Sequence, residues 1–369
     1  MHKHYHVPKT YFLTHSVGCL PKQTSDDVAK DFFGPWQASG GNAWPDWLGI
    51  LTRFRVSMGE ILGVSGNTIC PQTNVSSALT KIIHSLPMRK GRDVILLSEQ
   101  DFPTIGFALK QAERAGYKLK FITGNITDAQ VWADAMDNTV AVAHITHALS
   151  NTSHLLPVAD ICKAAKAADI ITIVDIAQSV GIVPIHIPDW QADFVIGTSV
   201  KFMCGGPGAC FMYASDEMIE LSHPIDVGWF SHENPFEMDI RDFRYADDAM
   251  RFFGGTPSPA PFAAALSAHT LLNKSGIEAA HIYVQSVLND LVSELEDGVL
   301  VSPRNAAQRG GTLVVAPGGV APKHRTQFTE SLNAANILFD EREEGFRFSF
   351  HHYTPKEDVK TLSDVLNRL

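Results

Sequence analysis

The feature that most constrains this chain is the alternation of short apolar runs with helical stretches between residues 70 and 215. Apolar runs bounded by turn residues predict strands at 94–98, 118–121, 140–145, 170–174, 193–197 and 209–213. Helices are predicted near 75–86, 104–115 and 157–168. Strands that alternate with helices predict βαβ units, and therefore an α/β fold built on a mostly parallel sheet.

The pattern changes after residue 255. A long helical region is predicted at roughly 260–296, followed by strands at 311–315 and 346–351. A last helix begins at the capping box Thr354-Pro355-Lys356-Glu357. This part is typical of a smaller α+β domain. We therefore divide the chain into an N-terminal segment that joins the small domain, a large domain and a small C-terminal domain, with the ranges 1–50, 51–255 and 256–369.

Composition excludes several classes of function. The chain is 45% apolar and 19% charged, which is typical of a soluble globular protein, and its net charge of −10 argues against nucleic acid as a partner. It has no apolar run of membrane-spanning length, and its start lacks the apolar core of a signal peptide. Its five scattered cysteines predict free thiols in the cytoplasm, and the absence of an H-E-x-x-H motif predicts no metal site.

The residues that follow the predicted strands suggest one cofactor. Asp175, Lys201, Phe102 and Asn151 each come just after a strand, and ligands of open α/β sheets bind at the carboxyl ends of strands. Alone, each has an ordinary structural explanation as a cap, loop, core or turn residue. Together they offer an amine, an acid, an aromatic ring and a small polar group, which is what pyridoxal 5′-phosphate (PLP) requires. The polar turn before the helix at residue 75 would suit its phosphate.

Several motifs in order carry a resemblance. They are Phe102-Pro103, Asp175-Ile176-Ala177-Gln178, Lys201 followed by Gly205-Gly206-Pro207-Gly208, Gly228-Trp229-Phe230-Ser231-His232-Glu233 and Arg251-Phe252-Phe253-Gly254-Gly255-Thr256-Pro257. In this order they resemble the class V aminotransferase family of PLP enzymes, and within it the kynureninases most closely. The resemblance implies the PLP-dependent transferase fold of type I, with a large domain on a mostly parallel sheet and a smaller α+β domain.

The resemblance also implies a role for each matching residue. Lys201 would form the Schiff base and transfer protons, and Asp175 would pair with the ring nitrogen. Cofactor binding is assigned to Asn74, Val75, Phe102, Asn151, Asp175, Gln178, Thr198, Lys201, Trp229 and Thr256. Arg347 would hold the substrate α-carboxylate, because a guanidinium fork matches a carboxylate. Thr256 would come from the second subunit, since the family forms homodimers with shared sites.

The chain departs from the kynureninases at three places. Val200 replaces the tyrosine before the lysine, and Ile105 replaces the acid after Phe-Pro-Thr. The segment Thr146-His147-Ala148-Leu149-Ser150-Asn151 resembles the Ser-Asn form of the cysteine desulfurases more than the Asn-Tyr form of the kynureninases, and Gln178 likewise resembles the desulfurases. No cysteine follows Cys210, so cysteine-persulfide chemistry of the desulfurase type is not expected. We expect a PLP enzyme acting on an amino acid by kynureninase-like hydrolytic C–C cleavage. Transamination, epimerisation and β-elimination on another amino acid remain open. A catalytically silent binding protein is disfavoured by Lys201, Asp175 and Arg347, and a nicotinamide-dependent oxidoreductase by the missing G-x-G-x-x-G.

Overall fold

A computed structural model describes residues 1–296, 298–317 and 322–367. Its strands are β1 (Tyr5–His6), β2 (Leu20–Pro21), β3 (Ile69–Gln72), β4 (Val94–Ser98), β5 (Lys118–Ile122), β6 (Val140–Thr146), β7 (Ile171–Asp175), β8 (Phe194–Thr198), β9 (Cys210–Ala214), β10 (Thr312–Val315), β11 (Asp340–Arg342) and β12 (Gly345–Ser349). Its α-helices are α1 (Thr24–Val28), α2 (Gly34–Ser39), α3 (Trp44–Leu62), α4 (Val75–Ser85), α5 (Pro103–Gln111), α6 (Ala129–Ala135), α7 (Val158–Ala167), α8 (Ile187–Trp190), α9 (Asp216–Leu221), α10 (Pro259–Ser275), α11 (Ile277–Ser293), α12 (Pro322–Ala334) and α13 (Lys356–Leu366).

The large sheet has seven strands in the order β3-β9-β8-β7-β6-β4-β5. The neighbours from β5 to β8 pair in parallel, whereas β9 runs antiparallel to both β8 and β3. The six strands predicted between residues 94 and 213 all belong to this sheet. The predicted α/β fold with a mostly parallel sheet is therefore confirmed.

Both faces of the large sheet are buried. In β8, Val195 packs in the apolar cluster on one face, while Phe194 and Ile196 pack in the cluster on the other. Two covered faces explain why these strands have continuous apolar runs instead of alternating apolar and polar residues. Each such Val, Ile or Phe side chain stabilises the fold by about 1.5–3 kcal/mol when it is fully buried.

A second, antiparallel sheet has the strand order β10-β12-β11. The N-terminal segment adds to this sheet through two single bridges, Tyr11 to Leu338 and Leu13 to Ser349. Phe12 lies between these bridges and packs in the same apolar cluster as Phe348. The first residues of the chain are thus held by the last part of it.

The predicted helical region at 260–296 consists of two helices. Gly276 separates α10 from α11 with φ of +80°, a left-handed value that favours glycine. Helix α10 packs against α3, and Phe262 of α10 joins the core of the large sheet. The division of the chain at residues 51 and 256 stays a prediction. No helix in the described part of the chain is long and apolar enough to cross a membrane.

Candidate active site

A cavity opens at the carboxyl ends of the large-sheet strands. Strand ends and the segments that follow them supply its lining, which is Asn74, Val75, Ser76, Phe102, Thr104, Ile105, Thr146, Ala148, Ser150, Asp175, Ala177, Gln178, Thr198, Lys201 and Cys210. Seven residues proposed from the sequence are therefore brought together: Asn74, Val75, Phe102, Asp175, Gln178, Thr198 and Lys201.

Lys201 lies three residues beyond β8, on a loop held from both sides. The amide of Gly18 donates to the Val200 carbonyl at 2.8 Å, and a side chain at position 18 would collide with the Lys201 carbonyl. The Lys201 ammonium nitrogen Nζ lies 5.9 Å from the centre of the Phe102 ring. Burial lowers the pKa of Lys201, although the Asp175 carboxylate opposes that effect. The amine is therefore poised to lose its proton more readily than an exposed lysine.

Asp175 is the last residue of β7 and is 7% exposed. Its Oδ1 accepts a hydrogen bond from the Ala177 amide at 2.7 Å, which fixes the carboxyl group at the start of the following turn. Burial raises the pKa of Asp175, while His144, the Ala177 amide and Lys201 act in the opposite direction. The carboxylate thus depends on its neighbours to remain charged in this buried position.

The start of α4 forms one end of the cavity. The Asn74 side chain caps this helix by accepting from the Ser77 amide at 2.8 Å, and the Asn74 carbonyl accepts from the Ala78 amide. The amides of Val75 and Ser76 therefore have no intrahelical acceptor, which is the usual condition of a helix start and favours an anion there. Both residues line the cavity.

Arg347 lies on β12 next to the cavity but is not part of its lining. Its Nε donates to Asp340 Oδ2 at 2.6 Å, its Nη2 forms an ion pair with the same oxygen, and its Nη1 donates to the Ser150 carbonyl at 2.8 Å. His15 Nε2 lies 3.6 Å from Asp340 Oδ2. Asp340 and the Ser150 carbonyl thus accept from three of the five guanidinium N–H donors.

Besides Arg347, three residues proposed from the sequence do not line this cavity. The Asn151 amide donates to Glu344 at 2.7 Å, so Asn151 points away from the cavity and its predecessor Ser150 lines it instead. Trp229 and Thr256 each line a different surface cavity. A role for Thr256 in the site of a second subunit stays a prediction.

The sequence analysis missed several cavity residues, namely Ser76, Thr104, Ile105, Thr146, Ala148, Ser150, Ala177 and Cys210. It also missed Asp101, which lies under the cavity and whose Oδ1 accepts from the Thr146 hydroxyl at 2.6 Å. Asp101 stands directly before Phe102 in a loop after a strand. A polar residue within such a loop was the available signal.

The donor set fits PLP. An amine of lowered pKa, a buried carboxylate, an aromatic ring and a helix start all line one cavity, and these are the groups that PLP requires. In the described part of the chain, no group of three histidine, cysteine, aspartate or glutamate side chains could hold a metal ion.

Comparisons with known proteins agree with this chemistry. The family model described as Aminotransferase class-V matches residues 50–362. The uncharacterized aminotransferase YcbU of Bacillus subtilis is 23% identical over 98% of each chain, and a kynureninase of Burkholderia pseudomallei is 24% identical over 97% of this chain and 89% of its own. A solved C-DES mutant with glycine covalently linked to its PLP cofactor superimposes with a TM-score of 0.88 at 21% identity, covering 98% of this chain and 97% of that one.

Proposed function

Because this chain belongs to the class V aminotransferase family of PLP enzymes, we propose that it converts an α-amino acid with Lys201 as the proton-transferring base. The observation that carries the proposal is the Lys201 amine, whose pKa is lowered by burial and which lies beside Asp175 and Phe102 in one cavity. An amine of lowered pKa loses its own proton more readily and can then accept one from the substrate. The matched family supports the same role.

PLP, when bound, supplies an electron sink for negative charge at the substrate α-carbon. The protein contributes the proton transfer and the orientation. Lys201 Nζ would remove the proton from the substrate α-carbon, and Asp175 would pair with the ring nitrogen. The amides of Val75 and Ser76 would hold the phosphate together with the Thr198 hydroxyl. The Arg347 guanidinium would orient the substrate through its α-carboxylate, and Phe102 would stack on the ring.

The finer proposal is hydrolytic C–C cleavage of a kynurenine-type substrate. It is supported by the motifs around Asp175, Lys201 and Trp229 and by the kynureninase that aligns over 97% of this chain. The apolar lining that Phe102, Ile105 and Ala148 provide is compatible with an aryl side chain.

A panel of amino acids tests this proposal. The purified protein, reconstituted with PLP, is incubated with kynurenine, 3-hydroxykynurenine and other amino acids, and alanine, pyruvate, ammonia and sulfide are measured. Release of alanine from a kynurenine supports the finer proposal, whereas inactivity toward both kynurenines contradicts it. Bound PLP should give a visible absorbance band, and Lys201→Ala should remove it. A protein that shows no such band after reconstitution contradicts the proposed function as a whole.

Transamination is the second candidate. It is favoured by the aminotransferase YcbU, which aligns over 98% of both chains, a more complete match than that of the kynureninase. Transfer of the amino group to an added 2-oxo acid, without loss of the side chain, would distinguish this reaction. Epimerisation and β-elimination would appear in the same panel as inverted substrate and as pyruvate with ammonia.

We also propose that the enzyme is a cytoplasmic homodimer. The five cysteines are all free and buried, as expected of a reducing compartment. The segment around Trp229 exposes large apolar side chains, among them Ile225, Met238 and Ile240, which a second subunit could cover. Sedimentation gives the oligomeric state. Mixing inactive Lys201→Ala and Thr256→Ala proteins should restore activity if Thr256 serves the partner's site.

A further inference from the structure

A buried hydrogen-bonded group lies under the cavity beside Asp175. His144 Nδ1 lies 3.0 Å from Asp101 Oδ2, and the Thr146 hydroxyl donates to Asp101 Oδ1 at 2.6 Å. The Ser98 amide donates to the same carboxylate at 3.2 Å. The Asp101 side chain is 3% exposed and that of His144 is 0% exposed. The Asp101 carboxylate is therefore satisfied by protein groups at a depth where an unpaired charge would be costly.

Strand register puts this group next to Asp175. Thr146 of β6 is the Cα partner of Asp175 of β7, and His144 is the partner of Ile173, so the three polar side chains lie on one face of the sheet. The second ring nitrogen of His144, Nε2, is buried and has no hydrogen-bond partner among the described residues. An unpartnered polar atom in an otherwise satisfied buried group needs an explanation.

The charges around His144 supply one. Burial by itself lowers the pKa of His144, but the Asp101 carboxylate reverses that effect and Asp175 adds to the reversal, so that the pKa lies above its ordinary value. Conversely, burial raises the pKa of Asp175 and His144 opposes that rise. His144 is thus placed to carry positive charge between two carboxylates.

We propose that Asp101 and His144 are positioning residues for the cofactor, with Asp101 keeping His144 protonated and His144 keeping Asp175 a carboxylate that faces the ring nitrogen. Neither residue lines the cavity, so both act through Asp175. The inference rests on the proposed role of Asp175 and extends it to the residues beneath it. It follows that this pair favours only a cofactor whose ring nitrogen can be protonated.

Equilibrium binding of PLP and of 1-deazapyridoxal 5′-phosphate, in which a C–H group replaces the ring nitrogen, tests this inference. Binding to the unliganded protein is followed by quenching of tryptophan fluorescence. We expect Asp101→Asn and His144→Gln each to weaken PLP binding by about tenfold, the effect of a pKa shift of one unit, and to leave binding of the deaza analogue unchanged. His144→Gln provides the same test if Asp101→Asn does not fold.

The matched control is Asp193→Asn. Asp193 is another carboxylate of the same sheet that accepts from the amide and the hydroxyl of a threonine, Thr172, at 2.8 and 2.9 Å, and it does not line the cavity. Its replacement should affect neither cofactor. Equal losses for both cofactors in Asp101→Asn and His144→Gln, or no loss, would overturn the inference.

A further variant separates this inference from the proposed function. Asp175→Asn should weaken binding of PLP, but not of the deaza analogue, and by more than Asp101→Asn does. If Asp175→Asn shows no such selectivity, the proposed role of Asp175 fails. If Asp175→Asn is selective but Asp101→Asn and His144→Gln are not, only the positioning role fails.

Discussion

Two charged clusters flank Lys201, and they differ in the sign of their charge and in the elements that hold them. The ring-side cluster consists of Asp101, His144 and Asp175. The arginine cluster consists of His15, Asp340, Arg342 and Arg347. The first has two carboxylates for one histidine and lies at the ends of parallel strands of the large sheet. In the second, Arg342 joins Arg347 in contacting a single carboxylate, so positive charge is in excess.

The difference suits two kinds of ligand, a cofactor that stays bound and a substrate that is exchanged at every turnover. The ring-side cluster is deeply buried and hydrogen-bonded within one sheet, which suits a cofactor that stays bound. The arginine cluster joins the small sheet to the N-terminal segment, and Asp340 and the Ser150 carbonyl accept from three of the five N–H donors of Arg347. That arrangement suits a substrate carboxylate that enters and leaves at every turnover.

The largest effect is expected at Lys201, where the two clusters meet. Lys201→Ala should slow exchange of the substrate α-proton with solvent by about 10³-fold, because the base is removed. Exchange is measured in D₂O by proton NMR, with Lys166→Ala as a surface control. If α-proton exchange persists at the original rate, another residue is the base, and Lys201 does not join the functions of the two clusters.

Replacing Arg347 should affect substrate binding but not cofactor binding, and so distinguish the roles of the two clusters. Arg347→Ala should raise KM by about tenfold to a hundredfold, as expected for lost hydrogen bonds to a charged group, and leave the PLP dissociation constant unchanged. Steady-state kinetics and PLP titration measure the two quantities. Arg342→Ala, which removes an exposed arginine from the same carboxylate, is the matched control. A parallel loss of PLP affinity would show that the two clusters are not independent.

Asp340 should make the stability of the folded protein depend on pH, and the sign of that dependence follows from its pKa. Burial opposes the shift, but His15 and Arg347 hold the pKa of Asp340 well below its ordinary value. A carboxylate of lowered folded-state pKa stabilises the protein above its unfolded pKa, and this contribution is lost as the pH falls through the folded value. Asp340→Asn should therefore lower the melting temperature at pH 7, and the difference from the natural protein should shrink below about pH 4. A difference that is constant with pH would contradict the ion pair.

The smallest effect is expected at Asn151, which does not line the cavity. Asn151→Ala should change PLP affinity by no more than roughly twofold, as for a surface substitution, because its amide donates to Glu344. Titration with PLP measures this, with Gln178→Ala as the cavity-lining comparison. A loss of PLP affinity as large as that for Gln178→Ala would show that Asn151 contributes to cofactor binding.

The sequence predicted best what depends on local pattern. The strand at 94–98 has the predicted bounds, and Asp175 and Lys201 were identified because they follow apolar strands. The short strand β3 was not predicted, because it contains a proline and a glutamine and is fixed by pairing with β9. Its pairing is a tertiary effect that overrides the local preference of its residues.

The arginine cluster shows which site residues could not be predicted from the sequence. Arg347 was identified, but Asp340 was not, because β11 is a polar, largely exposed strand without an apolar pattern. Asp340 meets Arg347 only through the cross-strand register of β11 and β12, and His15 arrives from the other end of the chain. Contacts of such sequence separation leave no periodic signal in a single sequence.

The pairing of the N-terminal segment with the small sheet also constrains when the enzyme can become active during its synthesis. Thr14 is hydrogen-bonded to Tyr353 at 2.7 Å across 339 positions of sequence, and the Ser349 amide donates to the Phe12 carbonyl. Residues 12 and 14 are made long before residues 349 and 353, so they reach these positions only after those partners have been made. Until then, the N-terminal segment, whose Gly18 contacts the loop that carries Lys201, is not fixed on the small sheet.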